Sequence, residues 1–227
     1  MTSHRPVKGR RSKLVAVVAS PADLRSATEM KHPPDLFELR LDCFLSSLGK
    51  LVAKIESLPS PIIVTARDPR EGGIGNLSPE QRANLLARFL VCAKYVDIEL
   101  RNARAFKPLL AYARKRNVRV IVSFHDFKST PSSRSLRTKA SAAKKHGADI
   151  FKVATRTDTP AALAQLVDFT TSKHLKVPVS AMGIGKLGPL SRLLLARCGS
   201  VLNYASFGRP TVEGQLPIEL LRSSLPR

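Results

Sequence analysis

The chain reads as an α/β protein, a (β/α)8 TIM barrel, on three observations. Short runs rich in Val, Ile and Phe alternate with longer helical patterns along the whole length. Eight such strand-and-helix units follow one another, their strands about 25 to 30 residues apart. No Pro/Gly/Ser-rich linker divides the 227 residues, so a single barrel domain is expected over 13–227, behind a basic tail over 1–12. A doubly wound open sheet is the alternative topology for the same alternation.

The first unit pairs an apolar strand over 14–19 with a helix over 21–30 that opens on Pro21 and Asp23. A strand over 36–39 leads through a helix over 45–57 to a strand over 62–66. Ser78 and Pro79 supply a cap and a first turn for a helix over 79–93. Strands over 95–100 and 118–124 flank a helix over 103–115, and a helix over 133–146 precedes the strand over 150–154. Thr159 and Pro160 start a helix over 160–172. A strand over 177–181, a helix over 190–196, a strand over 201–204 and a helix over 217–221 complete the series.

At 43% hydrophobic residues the chain has enough apolar side chain for an ordinary core, which excludes disordered and fibrous classes. A chain of this size removes roughly 70% of its unfolded surface from water. No stretch approaches the ~20 apolar residues of a membrane helix. The basic start from Arg5 to Lys13 followed by apolar residues imitates a secretory leader, but Pro21 and Asp23 end the run too soon. A soluble cytoplasmic protein with no membrane partner is expected. Cys43, Cys92 and Cys198 are odd in number and widely spaced, which fits a reducing compartment and no structural zinc.

Lys plus Arg number 38 against 17 Asp plus Glu, a net charge of +21, and this raises the class of nucleic-acid binders. The cations concentrate over 101–119 (Arg101, Arg104, Lys107, Arg114, Lys115, Arg116, Arg119) and over 134–145 (Arg134, Arg137, Lys139, Lys144, Lys145). Both stretches map to polar faces of predicted helices, and a charge run is usually a solvated face. No nucleic-acid partner is expected; were there one, binding would depend steeply on salt and tolerate loss of Lys152.

A barrel gathers its active groups at the C-terminal ends of its strands. In strand order these positions hold Glu38, Arg40 and Asp42, then Arg67 and Glu71, Asp97 and Glu99, His125 and Asp126, Lys152, Met182 and Ser206. Alternation puts Ile150, Lys152 and Ala154 on one face of their strand and Phe151 and Val153 on the other, so Lys152 points into the barrel if the Phe face meets the helices. A Lys goes inside only when paired or functional, and there it is a candidate nucleophile for a carbonyl carbon. His125 is the only one of five histidines at a strand end and is suited to moving a proton near neutral pH. Arg40, Arg67 and Arg192, with Glu38, offer planar donors and an acceptor for a small hydroxylated carboxylic acid.

The run Gly183-x-Gly185-x-x-Gly188 follows a predicted strand and imitates a dinucleotide fingerprint. Pro189 and Ser191 follow it, however, and Gly208 and Arg209 stand where an acid about 20 residues on is needed. A loop that lets backbone approach a ligand is the plainer reading.

In order along the chain come Glu38-Leu-Arg-Leu-Asp42, Thr65-Ala-Arg-Asp-Pro-Arg-Glu-Gly-Gly73, Asp97-Ile-Glu-Leu100, Ser123-Phe-His-Asp-Phe127 and Asp149-Ile-Phe-Lys-Val-Ala154. Ala181-Met-Gly183, Leu190-Ser-Arg192, Tyr204-Ala-Ser206 and Glu213-Gly-Gln215 follow. From Leu14 to about Leu221 this series resembles the type I 3-dehydroquinate dehydratases, Schiff-base lyases of the shikimate pathway of aromatic amino acid biosynthesis. The resemblance implies that Lys152 forms an imine with the ketone of 3-dehydroquinate. It implies that His125 removes a proton from the adjacent carbon and then assists loss of the tertiary hydroxyl, giving 3-dehydroshikimate and water, while Glu71 orients His125. By the same resemblance Arg192 clamps the substrate carboxylate, Glu38, Arg40 and Arg67 hold ring hydroxyls, and Met182 packs beside the imine. Gln215 then matches a lid residue, and Thr211 stands where relatives often have Ser.

No cofactor is expected, because the imine does the work of a metal or flavin, and relatives suggest a homodimer. The chain departs from the pattern in three places. Two more residues separate Met182 from Arg192, which suggests a bulged loop; Glu213 replaces a Pro; and the first dozen residues are too few for the N-terminal hairpin that plugs some relatives' barrels. A class I aldolase acting on a sugar phosphate shares the barrel and the imine Lys. It would place a phosphate site near the Gly-rich run.

Overall fold

Runs of Val, Ile, Leu and Phe flanked on both faces by apolar neighbours pair in parallel, the arrangement open to strands whose two faces are both buried. The computed structural model describes residues 12–225. In chain order the elements are β1 (Lys13–Val18), α1 (Pro21–Thr28), β2 (Leu36–Arg40), α2 (Leu48–Ile55), β3 (Ile62–Thr65), α3 (Pro79–Phe89), β4 (Ala93–Glu99) and α4 (Lys107–Lys115). Then come β5 (Arg119–Asp126), α5 (Ser133–Lys145), β6 (Ile150–Arg156), α6 (Pro160–Thr170), β7 (Val179–Ile184), α7 (Gly188–Arg197), β8 (Leu202–Ser206) and α8 (Ile218–Ser224). The basic tail expected over 1–12, and with it the expected lack of a plugging hairpin, lies outside the described residues except for Ser12.

The strands hydrogen-bond in the order β7-β6-β5-β4-β3-β2-β1-β8, all parallel. A few bonds rather than a ladder close the ring between β7 and β8. The Val201 N–H donates to the Val179 carbonyl at 2.9 Å, the Ser180 hydroxyl to the Leu202 carbonyl at 2.6 Å, and the Ala181 N–H to the Ser200 hydroxyl at 3.1 Å. This is the predicted (β/α)8 barrel, and it displaces the open-sheet alternative.

Alternation along each strand makes two apolar layers. Val15, Leu36, Ile63, Tyr95, Ile121 and Ile150 fill the barrel interior, while Phe37, Leu39, Phe151 and Val153 face outward against helix residues such as Leu86 and Phe169. Each such side chain, fully buried, contributes about 1.5–3 kcal/mol on leaving water. Ser78 caps α3 in a full capping box with Gln81, and Thr159 caps α6, as their spacing predicts. The basic residues Arg104, Lys107, Arg114, Lys115 and Arg116, with Arg134, Lys144 and Lys145, are exposed on and beside α4 and α5.

Some boundaries differ from expectation for local reasons. The helix predicted over 79–93 stops at Phe89, and a short turn over Leu90–Cys92 feeds β4 directly. The helix predicted from 103 begins at Lys107, because a turn over Leu100–Asn102 is held by buried Asn102, which donates to Asp68 and Glu99 at 3.0 and 2.9 Å. β7 runs on through Gly183 to Ile184 and α7 starts at Gly188, so the connection is short and the expected bulge is absent from it.

Candidate active site

β6 delivers Lys152 to the barrel interior with Ile150 and Ala154, while Phe151 and Val153 pack outward, as the alternation predicts. Lys152 is 4% exposed. Its Nζ donates to Glu38 Oε1 and Asp97 Oδ2, both at 3.0 Å, and lies 4.0 Å from the centre of the Tyr204 ring. Two carboxylates and an aromatic face therefore hold the amine. The nearest cation, Arg67, is neutralised on the spot. Its Nη2 donates to Asp97 Oδ2 at 3.0 Å, and its Nη1 donates to Glu99 Oε1 at 3.2 Å and to the Ser123 hydroxyl at 2.6 Å. Burial works against the Arg67 charge, but Asp97, Glu99 and Glu38 outweigh it and leave the guanidinium held more firmly than usual. Burial likewise favours a neutral Asp97, and the charges of Arg67 and Lys152 reverse that, keeping its carboxylate below the usual range.

His125 ends the inward face of β5, one strand from Lys152 and paired in register with Ala154. Glu71 reaches it from the turn over Pro69–Glu71. The His125 backbone N–H and Nδ1 each lie 3.0 Å from Glu71 Oε2, and His125 Nε2 has no hydrogen-bond partner among the described residues. Burial, then the charges of Arg67 and Lys152, pushes the imidazole well below its ordinary value, so it is neutral near pH 7. Burial raises the Glu71 carboxyl to about 7 against the opposing pull of Arg67. The Glu-Gly-Gly sequence has a steric reason. Gly72 ends the turn at φ +86°, where a side chain would strain the backbone and meet the Phe127 ring, and a Cβ on Gly73 would lie 2.0 Å from the Arg67 carbonyl oxygen.

α7 brings in Arg192, 2% exposed. Nε donates to the Gly214 carbonyl at 3.0 Å and Nη1 to the Tyr204 carbonyl at 2.9 Å, and among the described residues it has no acidic partner. Desolvation lowers its pKa to about 10. An unneutralised, buried guanidinium at a cleft is a site waiting for an anion. Arg40 is engaged with Asp42, donating from Nε at 3.0 Å and Nη2 at 2.7 Å, and also reaches the Gly72 carbonyl at 3.1 Å. Gln215 Oε1 accepts from the Thr211 N–H at 2.8 Å and hydroxyl at 2.9 Å, which fixes the loop between β8 and α8 over the opening.

All ten residues picked from the sequence line one open cleft: Lys152, His125, Glu71, Glu38, Arg40, Arg67, Arg192, Met182, Thr211 and Gln215. Sequence reasoning passed over Tyr204 and Phe127, which also line it, and named Asp97 only as a strand-end acid. Inward alternation of Leu202, Tyr204 and Ser206 on β8 was the available signal for Tyr204.

The Gly-rich run does not form a phosphate cradle. The Gly185 N–H donates to the Glu213 carbonyl at 3.1 Å and the Gly188 N–H to the Gly185 carbonyl at 2.9 Å, so both amides serve chain packing. The Gly183 N–H is held by the Ser191 hydroxyl at 2.8 Å. Glu213, in the place of a Pro, pairs with Arg156 Nη1 at 2.8 Å, so its charge is balanced at the cleft rim.

In sequence and in fold the chain is similar to known proteins. The sequence profile of the type I 3-dehydroquinases matches residues 15–226. A 3-dehydroquinate dehydratase of Shouchella clausii is 36% identical over 206 residues, 85% of this chain and 80% of that one. One from Methanothermobacter thermautotrophicus is 34% identical over 193 residues, 84% of each chain. The crystal structure of 3-dehydroquinate dehydratase from Geobacillus kaustophilus superposes with a TM-score of 0.87 at 28% identity, covering 98% of this chain and 96% of that one.

Proposed function

The chain belongs to the type I 3-dehydroquinase family, and from that premise we propose that it dehydrates 3-dehydroquinate to 3-dehydroshikimate through an imine on Lys152. The observation that carries the reading is the meeting, in one cleft, of a buried amine, an imidazole with one free nitrogen and a guanidinium with no acid of its own.

Arg192 takes the substrate carboxylate, and this binding orients the ring over Lys152. Glu38 or Asp97, each 3.0 Å from Nζ, accepts the proton that frees the amine for attack on the ketone carbon. Loss of water from the adduct leaves an iminium, whose positive nitrogen draws electrons from the neighbouring carbon. With Glu71 ionised, Nδ1 of His125 carries the hydrogen and Nε2 the lone pair, so Nε2 removes the carbon-bound proton. The electron pair moves toward the iminium to give an enamine. Its return expels the tertiary hydroxyl, which takes the proton from imidazolium and leaves as water. Hydrolysis of the conjugated imine releases product and Lys152. Glu38, Arg40 and Arg67 frame the ring hydroxyls, Met182 and the Tyr204 ring fill the apolar side, and Gln215 with Thr211 covers the mouth. A cytoplasmic homodimer, the family's common setting, forms part of this reading.

Mixing the protein with 3-dehydroquinate and following the conjugated enone absorbance tests it. Growth that disappears in Lys152→Ala, with a borohydride-trapped mass increment on Lys152 in the unaltered protein, is the expected result. No growth in either protein removes the substrate; growth that persists in the variant removes the nucleophile.

A further inference from the structure

Arg101 stands outside the set of residues assigned above, yet it reaches the same dyad. The turn over Leu100–Asn102 follows β4, and its last residue, Asn102, is buried and donates to Asp68 and Glu99. That anchor fixes the backbone of Arg101, whose own side chain is 43% exposed. Its Nε lies 3.2 Å from Glu71 Oε1, the oxygen that His125 does not use.

The two oxygens of Glu71 have different neighbours, and this decides where a proton could sit. Oε2 accepts the His125 backbone N–H and lies 3.0 Å from Nδ1, so a proton on Glu71 either sits on Oε1 and leaves Oε2 a weaker acceptor, or sits on Oε2 and is donated to Nδ1, which moves the imidazole hydrogen to Nε2. Oε1 faces the positive charge of Arg101. We propose that Arg101 is a positioning residue for the His125 base: its guanidinium keeps Glu71 as the acceptor of the Nδ1 hydrogen and so holds the imidazole in the tautomer with Nε2 free. This proposal rests on the reading of His125 as the base.

The other charged groups around Glu71 do not make Arg101 redundant. Arg67, from the end of β3, pulls more strongly than Arg101 toward an ionised Glu71 but directs its donors to Asp97 and Glu99, and Glu99 on β4 opposes ionisation of Glu71. Arg70 shares the turn of Glu71 but pairs with Asp68 at 2.9 Å. His125, from β5, is itself the group to be held. Arg101 is therefore the cation at Oε1, and the raised value of Glu71 leaves its charge state sensitive to such a neighbour.

The test is a carboxyl carbon-13 NMR titration of Glu71, its signal identified by its loss in Glu71→Gln, in the unaltered protein, Arg101→Gln and Arg101→Lys. Arg101→Gln should raise the midpoint by about half a unit to one unit, modest because the pair is partly solvated, and Arg101→Lys should restore most of it. The acid limb of kcat/KM should move up by the same amount, with activity in Arg101→Gln recovering at alkaline pH. An unchanged midpoint in Arg101→Gln, or a loss of activity equal at every pH, overturns the proposal. If the unaltered protein leaves 3-dehydroquinate untouched, the proposed reaction fails, while the carboxyl titration still decides the role of Arg101.

Discussion

A single oxygen of Glu71 receives both the backbone N–H and Nδ1 of His125, each at 3.0 Å. One carboxylate thus fixes the position of the residue and the face of its ring. Protonation removes the carboxylate charge that favours a hydrogen on Nδ1, and the sign of the pH dependence follows. Burial raises Glu71 to about 7 and lowers His125, so as pH falls it is Glu71 that takes up the proton. kcat/KM should fall about tenfold per unit below pH 7 and level off above it; a profile flat down to pH 5 would contradict this.

The same shift has a consequence for stability. A carboxyl raised from its usual 4.5 to about 7 on folding binds its proton more tightly in the folded state, so its ionisation weakens the fold as pH rises across that window. Glu71→Gln should be at least as stable as the unaltered protein at pH 8 while its activity drops about a hundredfold. Urea midpoints and rates on one preparation check both halves.

Arg192 is desolvated with no acid beside it among the described residues, and its value falls to about 10. Its charge therefore burdens the empty protein, and in the proposed reaction it meets the substrate carboxylate. Arg192→Met should lower kcat/KM about a hundredfold or more, chiefly through KM, with little or no loss of stability to urea. A large drop in stability with unchanged KM would assign Arg192 to the fold instead.

Arg82 presents the reverse case. It is 1% exposed, donates to Glu99 at 2.8 Å, to Asp68 at 3.0 Å and to the Ala66 carbonyl at 3.2 Å, and lies over the Phe106 ring. Arg82→Met leaves Asp68 with only the exposed Arg70 and Glu99 with only Arg67 as cations, and should destabilise the protein by about 3–5 kcal/mol. A loss under about 1 kcal/mol in urea denaturation would show that Arg67 and Asn102 suffice for those acids.

At the rim, Arg156 links Glu213 of the covering loop to Asp158, whose other oxygen accepts from the Lys186 N–H at 2.8 Å. The groups are half exposed, so the coupling is small. A double-mutant cycle of Arg156→Gln with Glu213→Gln, read on KM, should give about 0.5–1 kcal/mol, fading in high salt. Strictly additive effects would mean that the pair does not steady the loop.

Much of this site was legible because its signals are local. The alternation of Ile150, Lys152 and Ala154 against Phe151 and Val153 needs only five consecutive residues, and barrel topology then carries every strand end to one mouth. The partners of Lys152 were not legible in the same way. Glu38 is 114 residues away and Asp97 is 55, and no short-range pattern records which acids meet which amine. Arg67 shows the same limit. The resemblance suggests a contact with ring hydroxyls, but three barrel residues engage its donors, a fact that exists only once β3, β4 and β5 lie side by side. The boundary shift at α4 arises where a tertiary anchor, Asn102, overrides local propensity.

Gly188 and Gly214 meet backbone to backbone: a Cβ on Gly188 would lie 2.8 Å from the Gly214 Cα, and one on Gly214 would lie 2.6 Å from the Gly185 carbonyl oxygen. Arg192, one turn into α7, donates to the carbonyl of that same Gly214. The covering loop and Arg192 are thereby tied together through Gly214. In evolutionary terms the two glycines are a locked pair: neither position can drift to a larger residue alone, and a descendant that opened its mouth to a bulkier acid would have to rebuild both sides of the contact at once.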